Sequence, residues 1–401
     1  MNICVQKFGG TSLQSDDVKI KAAEHVMDAV RKGYKVVVVV SAMGRLGDPY
    51  ATDTLLSLVG GVTSTQPKRE LDLLMACGET ISAVTFSWLL QNGGLKSLAM
   101  TGKEAGFRTT EEYGNAKITD MNPQQIRSHL GEYDVIVVTG FQGETPKGTT
   151  ATLGRGGSDT SATALGAALE ADVIDIFTDV DGIMTADPRI VSGAKTLETV
   201  TYNEICNMAY QGAKVIHPRA VEVAMQAKVP IRIRSIHSDA AGTLITGSPS
   251  GRPGLDLEEK LVTGIAHVGG LVQISVTFHQ KPHAEAEVFA TLAQNGISVD
   301  FIHIHPTGAA FTVPSHLGNQ AASLLSGLGC EVTVTEGVAK VSAVGAGMTG
   351  VPGVTSKIVQ ALSKKGITIL QSADSHTTIW VLVYENQMKD AVNALHEAFI
   401  C

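Results

Sequence analysis

The run of five valines at Val36–Val40 constrains the fold most, because a strand that is apolar at every position must be buried on both faces. Segments around it alternate in type. An apolar strand at Asn2–Phe8 precedes helical spacing at Asp16–Arg31, and a long helical pattern at Glu70–Gln91 follows the valines. The alternation continues to a strand at Pro230–Ser235. This order predicts an α/β sandwich with a largely parallel sheet.

A different organisation begins after Thr246–Glu259, which is rich in Gly, Pro and Ser and is typical of a linker. The segment Val288–Phe301 recurs later as Ile358–Gln371. Each copy reads strand, helix closed by Gly, strand, strand, helix, which indicates a ferredoxin-like βαββαβ plan. We expect a large domain at 1–245, a linker at 246–262, and two modules at 263–335 and 336–401, between which strands can be exchanged.

Composition excludes several classes of function. The chain has 44% hydrophobic and 17% charged residues and a net charge of -8. An acidic chain is a poor general binder of nucleic acid. No apolar run suggests a membrane span, and the first residues lack a signal-peptide pattern. Five scattered cysteines without a C-x-x-C pair suggest reduced thiols in the cytoplasm.

The segment Lys7-Phe8-Gly9-Gly10 ends the first strand just before a helix. Glycines let the backbone approach a ligand, and amide groups at a helix N-terminus favour an anion such as phosphate. Lys7 would add a positive charge there. A lysine extending to solvent is the alternative. The segment is not a P-loop, since G-x-x-x-x-G-K-[ST] occurs nowhere in the chain.

A second glycine-rich turn, Gly154-Arg155-Gly156-Gly157-Ser158, opens an alanine-rich helix. The planar guanidinium of Arg155 can bind a carboxylate through two hydrogen bonds. Asp159 follows as a possible helix cap, which is its ordinary role. Capping alone does not explain two glycines beside an arginine.

Three more stretches carry candidate polar groups. The loop Phe177–Arg189 follows a strand end, where open α/β sheets bind ligands, although an acidic surface loop is the alternative. Lys214 is a second candidate phosphate-binding lysine or a solvated one. Glu79 lies among small and apolar residues of the long helix and needs a partner such as a substrate ammonium, unless it lies on the helix surface. Hydroxyl residues Ser41 and Thr52 follow the valine strand.

Taken together, KFGGTS, GRGGSD, TDVDG…DPR and GAKVIHP resemble the aspartate kinases (aspartokinases) of the amino-acid kinase superfamily. The two C-terminal modules resemble the ACT domains through which those enzymes are feedback-regulated. The stretch SAMGRLGDPYATD is similar to the Bacillus-type monofunctional isozyme associated with control by diaminopimelate.

The resemblance implies roles for individual residues. The catalytic residues would be Lys7, Asp159 and Lys214, with Asp159 holding the two lysines. Nucleotide-binding positions would be Lys7, Phe8, Gly9, Gly10, Thr178, Asp179, Met184, Arg189, Lys214 and Val215. Aspartate-binding positions would be Ser41, Thr52, Glu79, Arg155, Gly156, Gly157 and Ser158.

The implied reaction is the transfer of phosphate from ATP to the β-carboxylate of L-aspartate, with Mg²⁺ bridging the nucleotide phosphates. It would be the first step toward diaminopimelate, lysine, threonine and methionine. The attacking carboxylate is ionised at neutral pH, so no general base is needed. The family also implies a cytoplasmic homodimer and an amino-acid effector, with diaminopimelate favoured over lysine or threonine.

Other interpretations stay open at this point. Gly345–Gly350 formally matches the dinucleotide motif G-x-G-x-x-G, but too few residues follow for a doubly wound sheet. His303 and His305 share a strand face and could form a metal pair, although a solvated face is the simpler interpretation. The chain could also be a kinase fold without activity that serves as an amino-acid sensor, or another amino-acid kinase.

Overall fold

The computed structural model describes residues 1–213, 215–248, 261–278, 284–348 and 350–401. It contains two compact units. The first comprises Met1–Ile183, Thr196–Ala209 and Lys214–Leu257, and the second comprises Met184–Lys195, Tyr210–Ala213 and Glu258–Cys401. Most of the expected linker, and Lys214 itself, lie outside the described residues.

The first unit is built from strands and helices that alternate along the chain. Its strands are β1 Ile3–Phe8, β2 Lys35–Val40, β3 Ser97–Met100, β4 Phe107–Thr109, β5 Ile118–Met121, β6 Val135–Thr139, β7 Gln142–Glu144, β8 Thr150–Thr152, β9 Val173–Thr178, β10 Thr199–Thr201, β11 Ile231–Ser235 and β12 Thr243–Thr246. Its helices are α1 Asp16–Arg31, α2 Thr52–Ser57, α3 Lys68–Asn92, α4 Gln124–His129, α5 Gly157–Leu169, α6 Tyr202–Tyr210 and α7 Pro218–Ala227.

The main sheet of this unit has the strand order β10-β12-β11-β9-β1-β2-β6-β3 and is parallel except where β11 meets β12. Strand β1 runs between β2 and β9, with Val5 opposite Val37 and Ile174. All five valines of Val36–Val40 are buried, as an apolar parallel strand requires. The predicted α/β sandwich is confirmed. A small sheet, β5-β4-β7-β8, was not predicted.

Helices cover both faces of the main sheet. Helices α1 and α3 pack on one face through a cluster that includes Val26, Phe86 and Leu90. Helix α5 packs against β1, β2 and β9 on the other face. A Cβ atom at Gly166 would lie 2.4 Å from Ile174 Cδ1, so this helix approaches the sheet closely.

Helix α3 is long and apolar enough to cross a membrane by length and composition, which the sequence interpretation overlooked. It is instead a core helix of the first unit. Its buried residues include the carboxylates of Asp72 and Glu79 as well as Ala83 and Phe86. Two buried carboxylates on one face fit a helix that serves a polar site inside the unit better than a lipid-facing one.

The second unit is an antiparallel sheet covered by helices. Its strands are β13 Gly264–Thr277, β14 Asp300–His305, β15 Gly308–Pro314, β16 Glu331–Val344, β17 Gln371–Asp374 and β18 Thr378–Tyr384. Its helices are α8 Ala284–Gln294, α9 Gly318–Gly327, α10 Val354–Lys364 and α11 Met388–Phe399. The strand order is β14-β15-β13-β16-β18-β17.

Strands β13 and β16 join the two ferredoxin-like modules, because each is long enough to serve both. The first half of β13 pairs with the second half of β16, with Gly264 opposite Val344, and the second half of β13 pairs with the first half of β16, with Thr277 opposite Glu331. A register shift between Val268 and Leu271 separates the halves. Residues 264–268 therefore complete the sheet of the later module.

The segment 184–195 also belongs to the second unit. Ala186 and Val191 are buried in the core that includes Leu395, and Thr185 Oγ1 lies 2.9 Å from Nε2 of the buried His396. The chain thus leaves the first unit at Ile183 and returns at Thr196.

Two competing interpretations can be compared with this fold. The G-x-G-x-x-G match follows β16 in an antiparallel sheet, and its Thr349 lies outside the described residues. A dinucleotide site needs a parallel doubly wound sheet at this position. His303 and His305 are both exposed on β14, and the described residues contain no group of three metal-ligating side chains.

Candidate active site

A cavity of about 740 Å³ lies in the first unit beyond the carboxyl ends of β1 and β2. Ligands bind at this edge in open α/β sheets. Ten residues proposed from the sequence line the cavity: Lys7, Gly10, Ser41, Thr52, Glu79, Arg155, Gly156, Gly157, Ser158 and Asp159.

Lys7 lies near the end of β1, in the middle of the sheet, opposite Val39 of β2 and Ile176 of β9. Its Nζ lies 2.7 Å from Oδ1 of Asp159 in the first turn of α5. The side chains are only 13% and 15% exposed, so the ion pair is shielded from bulk water. The ammonium is thereby held at the cavity wall rather than extended into solvent.

The glycine turn after β1 is fixed against the loop after β2. The Gly44 amide donates to Gly10 O at 2.9 Å, and the Ser41 amide donates to Phe8 O at 3.1 Å. A Cβ atom at Gly10 would lie 2.6 Å from Ala42 O. Only glycine fits this close approach, which places the backbone of both loops at the cavity.

Glu79 is the most unusual ionisable group of the cavity. Its side chain is buried, and Oε1 accepts a hydrogen bond from the Ala42 amide at 3.0 Å. Oε2 is buried and has no hydrogen-bond partner among the described residues. Burial raises the pKa of this carboxyl to about 7. A buried carboxylate oxygen that faces a cavity without a partner suits a cationic group of a ligand.

The loop between β8 and α5 presents Arg155. Gly154 and Gly156 have φ values of +73° and +72°, a backbone conformation that favours glycine. The ring of His217, which caps α7, packs on Gly156, where a Cβ atom would lie 2.3 Å from His217 Cγ. Arg155 is exposed at the cavity wall between these two fixed glycines.

The cavity wall carries both anionic and cationic side chains, among them Glu79 and Arg155. Ser41, Thr52 and Ser158 add hydroxyl groups to the same wall. This arrangement is complementary to a small molecule that carries an ammonium, a carboxylate and further oxygen acceptors.

Several nucleotide-binding candidates lie elsewhere. The Phe8 side chain is fully buried and stacks on Phe177 with ring centroids 4.8 Å apart, so it is a core residue. Thr178 and Asp179 lie at the end of β9, where the Thr178 hydroxyl donates to Asp179 Oδ1 at 3.1 Å. Val215 is half-buried in the first unit.

The remaining two candidates belong to the second unit, whereas the sequence interpretation grouped them with Lys7. Met184 is half-buried there. Arg189 is exposed and pairs with Asp187, with Nε–Oδ1 and Nη2–Oδ2 distances of 3.0 and 2.7 Å.

The sequence interpretation missed other residues of the cavity wall, among them Arg45, Met75 and Phe141. Phe141 has a φ of +69°, a strained conformation for a residue other than glycine. It follows β6, so its place in a loop after a parallel strand was the available signal. Arg45 stands in the loop after β2, where the same signal applied.

Two known protein families match different parts of this chain. A model described as "Amino acid kinase family" matches residues 2–235, and a model described as "ACT domain" matches residues 333–397. The chain is 58% identical over 400 residues to Aspartokinase 1 of Bacillus subtilis (strain 168). The alignment covers 100% of this chain and 99% of that relative.

Solved structures agree in fold. Aspartokinase III of E. coli in complex with aspartate and ADP (R-state) superposes with a TM-score of 0.81 at 26% identity, covering 100% of both chains. The complex of that protein with lysine and aspartate (T-state) gives a TM-score of 0.80 at 26% identity over the same coverage.

Proposed function

Because this chain belongs to the aspartokinases of the amino acid kinase family, we propose that the cavity of its first unit is where L-aspartate is phosphorylated. The enzyme transfers the γ-phosphoryl group of ATP to the β-carboxylate of L-aspartate, and the products are ADP and 4-phospho-L-aspartate. One observation carries the assignment of the cavity: a buried, unpartnered carboxylate oxygen of Glu79 shares it with Arg155.

Side chains of the cavity wall account for recognition of an amino acid. Glu79 Oε2 accepts the substrate ammonium, which gives the buried carboxylate a partner. Arg155 binds the α-carboxylate in two-point fashion. Ser41, Thr52 and Ser158 supply hydroxyl groups to the remaining oxygens, and the amides of Gly156 and Gly157 line the same wall.

Lys7 is proposed to neutralise negative charge on the phosphoryl group as it moves to the substrate. Phosphoryl transfer depends on positioning and on charge stabilisation more than on proton transfer. Asp159 orients the Lys7 ammonium through the 2.7 Å ion pair and takes no part in proton transfer. The backbone amides of Gly9 and Gly10 add donors to the same anion.

The nucleotide would bind beside Lys7 and the Gly9 and Gly10 amides. We assign its contacts in the first unit to Phe8 through its backbone, to the strand end at Thr178 and Asp179, and to Val215. Met184, Arg189 and Lys214 stay predictions from the sequence resemblance. Mg²⁺ would arrive with the nucleotide phosphates, which supply the oxygen ligands that this ion prefers. Asp179 is the carboxylate among these contacts, and it belongs to no three-ligand metal cluster among the described residues.

Regulation is assigned to the second unit. An amino-acid effector is proposed to bind there, with diaminopimelate favoured and lysine or threonine as alternatives; a lysine complex is known for the E. coli relative. Edge strands β14 and β17 end the described sheet, and β14 exposes Ile302 and Ile304. We propose a cytoplasmic homodimer, in which such edges can pair with a second copy of the chain.

Release of ADP from ATP tests the proposal, measured with L-aspartate, L-glutamate, N-acetyl-L-glutamate and UMP as separate acceptors. We expect ADP release with L-aspartate alone. Release with another acceptor would assign the chain to a different amino-acid kinase activity. No release with any acceptor, together with binding of an amino acid, would favour the inactive sensor.

A further inference from the structure

Asp72 is a buried carboxylate that the proposed mechanism does not use. It lies on α3 two turns before Glu79, is 0% exposed, and is absent from the cavity wall. Residues seven positions apart lie on the same face of a helix. Asp72 and Glu79 therefore point to the same side of α3, although only Glu79 lines the cavity.

Asp72 accepts three hydrogen bonds from two different chain segments. Oδ2 accepts from the Gly114 amide at 2.9 Å and from the Thr152 amide at 2.7 Å. Oδ1 accepts from the Thr152 hydroxyl at 2.8 Å. Donors from a loop and a strand end thus occupy both carboxylate oxygens. These segments have few other acceptors for the hydrogen bonds of their backbone amides.

The two segments held by Asp72 are those that shape the Arg155 loop. Thr152 ends β8, three residues before Arg155, and Gly114 lines the cavity. At Gly154 the segments meet, because a Cβ atom there would lie 2.9 Å from Asn115 Oδ1 and 3.1 Å from Gly114 O. A shift of either segment would displace the loop.

We propose that Asp72 is a positioning residue that fixes the Arg155 loop at the distance from Glu79 that L-aspartate requires. The inference rests on the proposed function of the cavity. Helix α3 carries both carboxylates, so one rigid element places Glu79 directly and holds the Arg155 loop through Asp72. Displacements of about 1 Å in a supporting shell can cost large factors in activity.

Two variants separate positioning from charge. Asp72→Ala removes all three hydrogen bonds. Asp72→Asn can keep them, because its Oδ1 can accept both amides while its Nδ2 donates to the Thr152 hydroxyl oxygen. We expect Asp72→Ala to raise the KM for aspartate by about tenfold or more while the KM for ATP changes less than about twofold. For Asp72→Asn, the KM for aspartate and the KM for ATP should both stay within about threefold of those of the unchanged enzyme.

Ser87→Ala is the matched control. Its hydroxyl is buried on the same helix and bonds to Ser97 Oγ at 2.8 Å, away from the cavity wall. It should lower Tm without changing either KM. Asp72→Ala with both KM values unchanged, or with the two raised equally, would overturn the inference.

A further variant serves if Asp72→Ala does not fold. In Asp72→Asn/Thr152→Val, the side-chain amide introduced at position 72 loses the Thr152 hydroxyl as its partner. The KM for aspartate should then rise about fivefold or more above that of Asp72→Asn. Equal values in the two variants would contradict the inference. If the unchanged enzyme releases no ADP with aspartate, the proposed function fails first, and the two failures are thereby distinguished.

Discussion

The surroundings of Lys7 determine whether its side chain extends to solvent or can bind an anion. From the sequence alone, this lysine at a strand end could either extend to solvent or contribute to an anion site. In the structure it is 13% exposed, and Asp159 holds its ammonium at the cavity. A shielded cation beside glycine amides suits a phosphoryl group, and its effect should therefore appear in the chemical step.

Replacing Lys7 with alanine should lower kcat by about a hundredfold or more with little change in the KM for aspartate, because the charge acts on the phosphoryl group. Steady-state kinetics measure both constants. Arg155→Ala is the contrasting variant and should raise the KM for aspartate by about tenfold, or about 1.4 kcal/mol. An unchanged kcat for Lys7→Ala would remove Lys7 from the chemistry.

Glu79 should make aspartate binding depend on pH. Its carboxyl has a pKa raised to about 7 by burial, so it takes up a proton as the pH falls through neutrality. Only the ionised form pairs with an ammonium. Below pH 7 the KM for aspartate should therefore rise about tenfold per pH unit, while kcat at saturating aspartate changes little.

Glu79→Gln is the control for this pH profile, since its side chain does not ionise. Its KM should already be raised at neutral pH and should lack the dependence. A KM that stays flat in the unchanged enzyme from about pH 8 to about pH 6 would contradict the role of Glu79.

At the scale of elements, the long segments could be predicted and the short ones could not. Helix α1 has the predicted bounds, Asp16–Arg31, because its polar and apolar residues are regularly spaced and its ends are clear. Strands β4, β7 and β8 have three residues each, too few for a periodic pattern. The Arg155 loop was identified from its glycines, but its support by Asp72 depends on contacts distant in sequence.

The joined modules show a second limit. The repeat predicted two copies that each begin with their own strand, whereas β13 and β16 are single long strands that serve both. Pairing between Gly264 and Val344 is a non-local contact that the repeat does not encode. The segment 184–195 is similar, since packing with residues distant in sequence, such as Leu395 and His396, places it in the second unit.

Gly156→Ala should disturb the turn that presents Arg155. The new Cβ atom would meet the His217 ring at 2.3 Å and force a residue other than glycine to a φ of +72°. We expect lower stability by about 1–3 kcal/mol and a raised KM for aspartate. Thermal unfolding and kinetics measure the two effects.

Gly33→Ala is the control for the strain in that turn. Gly33 has a φ of +89° but nothing within 4 Å of its Cβ position, so it reports backbone strain without a clash. It should lower Tm and leave the KM unchanged. If Gly156→Ala behaves in the same way, the turn does not position Arg155.

At the scale of the molecule, we propose that this acidic chain, with a net charge of -8, binds two anionic substrates through a few cations at strand and helix ends. The second unit is expected to respond to an effector. When Tm is measured with diaminopimelate, lysine, threonine or methionine in turn, diaminopimelate should raise it most, because a ligand that binds only the folded state stabilises that state. A larger shift with lysine or threonine would reassign the effector.

The most direct test of the central claim is to trap the product. An acyl phosphate reacts with hydroxylamine, so ATP, L-aspartate and this enzyme should yield aspartyl β-hydroxamate in an amount equal to the ADP released. The yield should fall by about a hundredfold or more with Lys7→Ala. ADP release without hydroxamate, or hydroxamate formation that does not depend on Lys7, would contradict the account of this cavity as the site of phosphoryl transfer.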